Sequence, residues 1–405
     1  MKHIEKLERY NQQHLLKFEN ELTEQEKQAL YSQIENLDFS YLDELNNSHS
    51  SIKDAISPIK AFTIEEIEQD KEHLTQIGIK ALNEQKIGAL LLAGGMGTRL
   101  GSDKPKGMYN IGKTKNIFIF QRIFENLLDV VKLCGKPIPF FIMTSERNNA
   151  DTINFIKDHN YFGYDPTFVK FFIQDMAPCV DLNGKILLES KNKIATSPNG
   201  NGGWFSSLIN NTEARKMLED FNLEYLNIFA VDNVLQKIAD PTFIGAVLEK
   251  NCEIGAKVIK KVDAFEKVGV MCTKNGHPGI VEYIDLPEEM ALETDASGER
   301  VYNFGTILNN LIQVKLLNKI KDKKLPIHIV TKKVEHIDEL GNLIKPETPN
   351  AHKFEMLWLD MFDFCSTCLP FEVERKREFA PIKNKTGVDS VESAQALLEL
   401  NGYEL

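Results

Sequence analysis

Residues 87–107 read Ile-Gly-Ala-Leu-Leu-Leu-Ala-Gly-Gly-Met-Gly-Thr-Arg-Leu-Gly-Ser-Asp-Lys-Pro-Lys-Gly. Six apolar or small residues, Ile87 to Leu92, form a run of the length and composition of a buried strand. The run opens into a loop in which Gly94, Gly95 and Gly97 put no side chain between the backbone and whatever lies against it. Successive backbone N–H groups in such a turn form a concave anion site. Arg99, Lys104 and Lys106 add positive charge within the same stretch. A strand feeding a basic glycine loop predicts a phosphate-bearing ligand, specifically a nucleoside triphosphate, at the strand's carboxyl end.

The rest of the chain is an unusual setting for that loop. The net charge is −11 over 405 residues, so a polyanion such as nucleic acid is repelled on average. No apolar run approaches the roughly 20 residues of a membrane span. The N-terminus begins charged and stays polar, which predicts no signal peptide and a cytoplasmic location. Six scattered cysteines agree with a reducing compartment, and Cys365-Ser-Thr-Cys368, lacking a second pair, reads as reduced, partly buried thiols.

From residue 87 onward short apolar runs alternate with helical ones. Strands are predicted over 89–92, 140–144, 169–174, 227–231, 256–262 and 268–273, and helices over 117–133, 148–159 and 241–250. The alternation argues for an α/β domain with a mostly parallel sheet, whose ligands sit at the carboxyl ends of strands. Before it, residues 1–80 read as polar amphipathic helices, with Thr23 and Glu26 as a capping box and a break at 46–51; a helical cap or a partner surface is expected. Residues 81–335 form the expected central domain and 336–405 a smaller C-terminal region. Within the latter, residues 352–364 read as an amphipathic helix, and Asp389 and Glu392 could cap a last helix ending near Leu400.

Two motifs compete with the first loop. A dinucleotide fingerprint fails because Leu100 stands where its last glycine belongs. Gly107-Met-Tyr-Asn-Ile-Gly-Lys-Thr114 fits the P-loop pattern letter for letter. Its context is wrong, since Pro105-Lys106 rather than a buried strand leads into it, and it reads as a turn. Val231-Asp232-Asn233 places a carboxylate at a strand end, suited to a helix cap or to a hard cation bridging phosphates. Asn199-Gly-Asn-Gly-Gly-Trp204 is a second glycine-rich turn that a base or sugar could approach closely.

Taken together these segments resemble the UDP-sugar pyrophosphorylase family, and within it the eukaryotic-type UDP-N-acetylhexosamine pyrophosphorylases. The resemblance runs from about residue 85 to about 400. It is carried by residues 91–101, Pro-Lys-Gly-Met-Tyr at 105–109, Phe-Phe-Ile-Gln-Asp-Met-Ala-Pro at 171–178 and Gly-Asn-Gly-Gly at 200–203. Residues 231–241, Val-Glu-Tyr at 281–283 and Arg-Glu-Phe-Ala-Pro-Ile-Lys-Asn at 377–384 complete it. The resemblance implies a Rossmann-like, GT-A-like nucleotidyltransferase fold. It implies that Leu92, Ala93, Gly94 and Gly95 line the nucleotide and that Lys106 meets its phosphates. Gln174 and Gly200 would contact uracil, and Asn201, Gly269, Glu282 and Tyr283 the sugar. Asp232 would lie by the ribose, the phosphates and a Mg2+ or Mn2+ ion, with Lys353 and Lys383 reaching the phosphates.

Three residues depart from the amino-sugar pattern. Asn303-Phe-Gly-Thr306 ends in threonine where those enzymes carry asparagine in the sugar site, and Leu357 and Leu359 replace two phenylalanines near the acyl pocket. The chain ends at Leu405, where longer relatives continue into a further small domain. The reading is a nucleotidyltransferase making UDP-N-acetylglucosamine and pyrophosphate from UTP and N-acetylglucosamine 1-phosphate, with Arg99, Lys106 and Lys383 as its charged catalytic groups. A UDP-glucose or broad-specificity pyrophosphorylase, a P-loop NTPase and a non-catalytic UDP-sugar sensor are the alternatives.

Overall fold

The computed structural model describes residues 2–45 and 55–405; the break expected at 46–51 falls outside them. The chain divides into two compact units, each assembled from separate stretches. One comprises residues 1–53, 174–203 and 324–360, and the other residues 54–173, 204–323 and 361–405. The three consecutive segments expected from the sequence do not coincide with these units.

The larger unit is built on a ten-stranded sheet. Its central strand, Ile87–Leu92, is buried along its whole length. Tyr225–Ala230 and Phe140–Thr144 flank it, both parallel to it, and Val169–Ile173 extends the parallel half. The other half departs from the expected parallel arrangement. Phe304–Gln313 pairs antiparallel with both Tyr225–Ala230 and Ile254–Lys260. Val270–Lys274 and His277–Val281 form a hairpin across Asn275 and Gly276, both with positive φ (52° and 83°). A two-residue Asn-Gly turn of this handedness returns the chain beside itself and imposes antiparallel pairing.

Helices pack on this sheet by apolar faces. Ile119–Cys134 buries Phe120, Phe124 and Leu127 and stops at Gly135, whose left-handed φ of 75° ends the helix without a Cβ penalty. Ile64–Asn83 starts with a capping box between Thr63 and Glu66. It lies unusually close to Pro241–Glu249, because a Cβ on Gly78 would fall onto the Pro241 carbonyl and one on Gly245 onto the Leu74 carbonyl. Val391–Leu400 forms the expected last helix, capped by Ser390 rather than by Asp389.

In the smaller unit the predicted Thr23–Glu26 capping box opens the helix Glu24–Asn36. The N-terminal segment packs on short strands of its own unit. Gln12 donates to the Gly184 carbonyl and accepts from Ile186 N–H, and Gln33 bridges Asn192 and Ile194 in the same way. The helix expected over 352–364 is absent. Ala351–Glu355 is instead a strand between His328–Lys332 and Val180–Asp181, followed by a short 3-10 helix, Trp358–Phe364. Ala351 and Phe354 are fully buried, and cross-strand packing on both sides outweighs the helical spacing.

Candidate active site

In the larger unit the parallel pairing sets the site. Ala230 lies beside Leu92 in register, so the chain leaves the sheet at neighbouring points into the glycine loop and into Val231-Asp232. The loop is braced from behind. Ala93 N–H donates to the Met143 carbonyl at 2.8 Å, and buried Asn148 donates its amide to the Ala93 carbonyl at 2.9 Å. Gly97 N–H bonds the Lys104 carbonyl, and Lys106 N–H bonds the Gly95 carbonyl, closing residues 95–106 on themselves. Among the described residues no protein acceptor takes the N–H of Gly94 or Gly95. A Cβ on Gly95 would meet nothing within 4 Å. Two unclaimed backbone donors are what an anion needs.

Lys106 begins a short 3-10 turn, and its ammonium nitrogen stands 3.8 Å from Asp232 Oδ2; both side chains are about one-fifth exposed. Arg99 is exposed. A third stretch meets the same place: Ile382 N–H donates to the Asp232 carbonyl at 2.9 Å, which sets Lys383 next to it along the chain. The Lys383 ammonium group pairs with Asp389 at 3.0 Å.

Of the residues expected at the sugar, Gly269, Glu282, Tyr283 and Thr306 belong to this unit, whereas Asn201 belongs to the smaller one. Thr306 N–H and hydroxyl both bond the Gly269 carbonyl, at 2.9 and 3.3 Å. A Cβ on Gly269 would meet that hydroxyl and the Ile280 side chain. Glu282 and exposed Tyr283 directly follow the strand His277–Val281, which is paired with the strand beginning just after Gly269.

In the smaller unit Gln174, 5% exposed, donates its amide nitrogen to the Gly200 carbonyl and to Asn199 Oδ1. Gly200 has φ of 86° and lies so close to Glu355 and Met356 that a Cβ would overlap the Met356 backbone. Only glycine fits there. Asn201 Oδ1 accepts from Trp358 N–H at 3.1 Å, and Gly202 N–H donates to the Met356 carbonyl. Lys353 lies on the neighbouring strand Ala351–Glu355. Leu357 is half-buried and Leu359 buried.

In the P-loop look-alike the characteristic phosphate-binding groups are engaged elsewhere. Lys113 is paired with Glu399 at 2.7 Å, and Thr114 donates both its N–H and its hydroxyl to the Leu405 carbonyl. Gly112 N–H is taken by Asn110 Oδ1, and a Cβ on Gly112 would fall onto the Lys115 carbonyl. Among the described residues no metal-ligand set forms around the cysteine pair. Cys365 is buried, and burial pushes its thiol up to about 12. Asp70, His73 and Glu249 bring their ligand atoms within 4.8 Å of one another on the exposed flank of the two close-packed helices, a spacing that can hold a divalent cation.

One group had no sequence-based role. Lys257, fully buried in the strand Ile254–Lys260, donates to Glu378 at 2.6 Å and to Asp240 at 2.8 Å. Burial opposes its charge, but the two carboxylates more than offset that and raise its pKa. Asp240 is correspondingly lowered: burial disfavours its charge and the Lys257 ammonium outweighs it. A lysine inside an otherwise apolar run was the available signal.

Comparison with known proteins identifies the family. The family model described as UTP–glucose-1-phosphate uridylyltransferase matches residues 33–401. The UDP-N-acetylhexosamine pyrophosphorylase-like protein 1 of Mus musculus is 34% identical over 411 residues, covering 95% of this chain and 80% of that protein. The UDP-N-acetylglucosamine pyrophosphorylase of Saccharomyces cerevisiae is 36% identical over 361 residues, covering 85% and 74%. The crystal structure of the uridine diphosphate N-acetylglucosamine pyrophosphorylase of Trypanosoma brucei superposes with a TM-score of 0.84 at 28% identity, covering 98% of this chain and 83% of that one. The chain therefore belongs to the UTP–glucose-1-phosphate uridylyltransferase family, on its UDP-N-acetylhexosamine pyrophosphorylase branch, and is a nucleotidyltransferase.

Proposed function

We propose that this chain transfers the uridylyl group of UTP to N-acetylglucosamine 1-phosphate, releasing pyrophosphate. The observation that carries the proposal is the pair of unclaimed N–H groups at Gly94 and Gly95 on the loop whose Lys106 pairs with Asp232. The sugar phosphate brings its own ionised oxygen as nucleophile, so no serine, cysteine or general base is required. That oxygen attacks the α-phosphorus in line, and the bond to the pyrophosphate oxygen breaks. What remains for the protein is alignment and charge neutralisation. The Gly94 and Gly95 N–H groups and Lys106 hold the triphosphate, and Arg99 steadies the leaving pyrophosphate. Lys353 and Lys383 offset the repulsion between two polyanions. The Lys383–Asp389 pair is half-exposed, and such pairs are weak enough for a phosphate to replace the carboxylate.

Asp232 suits a divalent cation. Its carboxylate stands 3.8 Å from Lys106, beyond hydrogen-bond reach, and Mg2+ commonly takes one or two carboxylates with water and substrate phosphates. Bound there, Mg2+ or Mn2+ would neutralise phosphate charge.

Base choice follows from Gln174. With its amide nitrogen committed to Gly200 and Asn199, the side-chain carbonyl is left to accept. Uracil offers an N–H at the ring position where cytosine offers a lone pair, so UTP is favoured over CTP.

Thr306 supports a second reading at the sugar. Its hydroxyl is already used on Gly269, so it offers a sugar less than an asparagine amide would. An apolar pocket rejects a missing small group by only about 1–3 kcal/mol. Glucose 1-phosphate is therefore expected as a poorer substrate. The test is kcat/KM with UTP for the 1-phosphates of N-acetylglucosamine, N-acetylgalactosamine and glucose. N-acetylglucosamine leading supports the proposal, and glucose leading moves the chain to the UDP-glucose enzymes.

A further inference from the structure

The Lys257 ammonium group lies outside every role assigned above, yet its bonds lead to two of the residues that carry them. Glu378, which it holds, presents its backbone carbonyl to the Asn233 amide at 2.7 Å. Asn233 is buried, and its Oδ1 accepts from Ala380 N–H at 2.9 Å. Val234 N–H reaches the Ala380 carbonyl at 3.3 Å, and Ile382 N–H reaches the Asp232 carbonyl. Residues 378–382 are thus laced to residues 232–234, with Lys383 at the end of the lacing and Asp232 at its start. On its other side Lys257 holds Asp240, whose second oxygen caps the helix Pro241–Glu249.

A buried charge cluster of this kind is poor evidence for stability. Desolvation cancels much of the attraction, and neutral replacements of a whole network are often tolerated. What it does supply is a defined arrangement, since Lys257 spreads its three N–H groups over Glu378, Asp240 and the Lys237 carbonyl. We infer that Lys257 is a positioning residue that fixes the Lys383-bearing segment against Asp232, so that the Lys383 ammonium group is held ready for the phosphates. The inference rests on the role proposed above for Lys383.

The experiment is a double-mutant cycle on the full chain. One arm is Lys257→Met combined with Glu378→Gln and Asp240→Asn, which removes the charges together and leaves none buried alone. The other arm is Lys383→Ala. Glu378→Gln alone, which keeps shape and hydrogen bonding, serves as a second and gentler variant. The triple variant is expected to melt near the wild-type temperature and to lose roughly 10- to 100-fold in kcat, the scale of a misplaced catalytic group. Its KM for UTP should stay within about threefold. In the Lys383→Ala background the same changes should cost less than about threefold, because the group they position is gone. Glu378→Gln should show the same non-additivity at smaller size. Wild-type kcat in the triple variant, or a loss that simply multiplies with that of Lys383→Ala, overturns the inference while leaving the role of Lys383 intact. Wild-type kcat in Lys383→Ala overturns that role and the inference with it.

Discussion

Residues 94–106 and 107–114 are adjacent loops of one unit, both rich in glycine and lysine, and they are built for opposite ends. In the first, the brace lies behind the loop, in Asn148 and the Met143 carbonyl, and the front is left open. In the second, the lysine ammonium, the threonine hydroxyl and the Gly112 N–H that a phosphate loop uses are all spent. Lys113 is on Glu399, Thr114 on Leu405 and Gly112 N–H on Asn110. The two also use glycine differently. Gly95 has open space where a side chain would be, whereas Gly112 has the Lys115 carbonyl there. The lesson is that the look-alike has the letters of a phosphate loop with its key groups spent, while the first loop leaves the N–H groups of Gly94 and Gly95 unclaimed.

The comparison breaks most readily at the lysines. Lys106→Ala should lower kcat about 10²–10³-fold, the cost of one lost contact to developing phosphate charge. Lys113→Ala should stay within a fewfold, since it loses only a half-exposed ion pair with Glu399. Steady-state kinetics of both variants decide it, and a larger loss at Lys113 would reverse the assignment.

Asp232→Asn sharpens the same point at the metal. It should raise the Mg2+ concentration for half-maximal rate by at least the roughly tenfold that even an outer partner of a metal site commands. Magnesium titrations of wild type and variant measure this, and full wild-type activity in excess EDTA would contradict it.

The glycines separate activity from stability. Gly95→Ala should leave the melting temperature in place and raise KM for UTP, because the new methyl occupies ligand space only. Gly112→Ala should do the reverse, costing about 1–3 kcal/mol of stability through overpacking while the folded fraction keeps its kcat. Thermal melts and kinetics on both proteins check the pair.

The smallest effect is expected at the cysteine pair. With the Cys365 thiol raised to about 12 by burial, the reactive thiolate is scarce at neutral pH. Iodoacetamide at pH 7 should leave Cys365 unlabelled, by peptide mass, with activity unchanged.

Much of this was legible before the fold. The buried run Ile87–Leu92, the glycine loop and the carboxylate at Asp232 are local features, and strand period and strand-end chemistry give them directly. The antiparallel half of the sheet was not read, although Asn275-Gly276 signals a hairpin by itself. The strand Ala351–Glu355 was hidden because its partners, near residues 180 and 330, are remote in sequence while its apolar spacing imitates a helix. The partners of Asn148 and of Lys257, itself marked only as a charge inside an apolar run, were hidden for the same reason. Their meaning lies in what they touch, across separations of 55, 17 and 121 residues.

The central claim is that the open loop, not its look-alike, handles the nucleotide, and product identity tests it most directly. Enzyme incubated with UTP, N-acetylglucosamine 1-phosphate and Mg2+ should yield UDP-N-acetylglucosamine and pyrophosphate in equal amounts, with no turnover when the sugar phosphate is omitted. The output should collapse in Lys106→Ala and persist in Lys113→Ala. Inorganic phosphate released from UTP without any sugar phosphate, and lost in Lys113→Ala, would contradict the account.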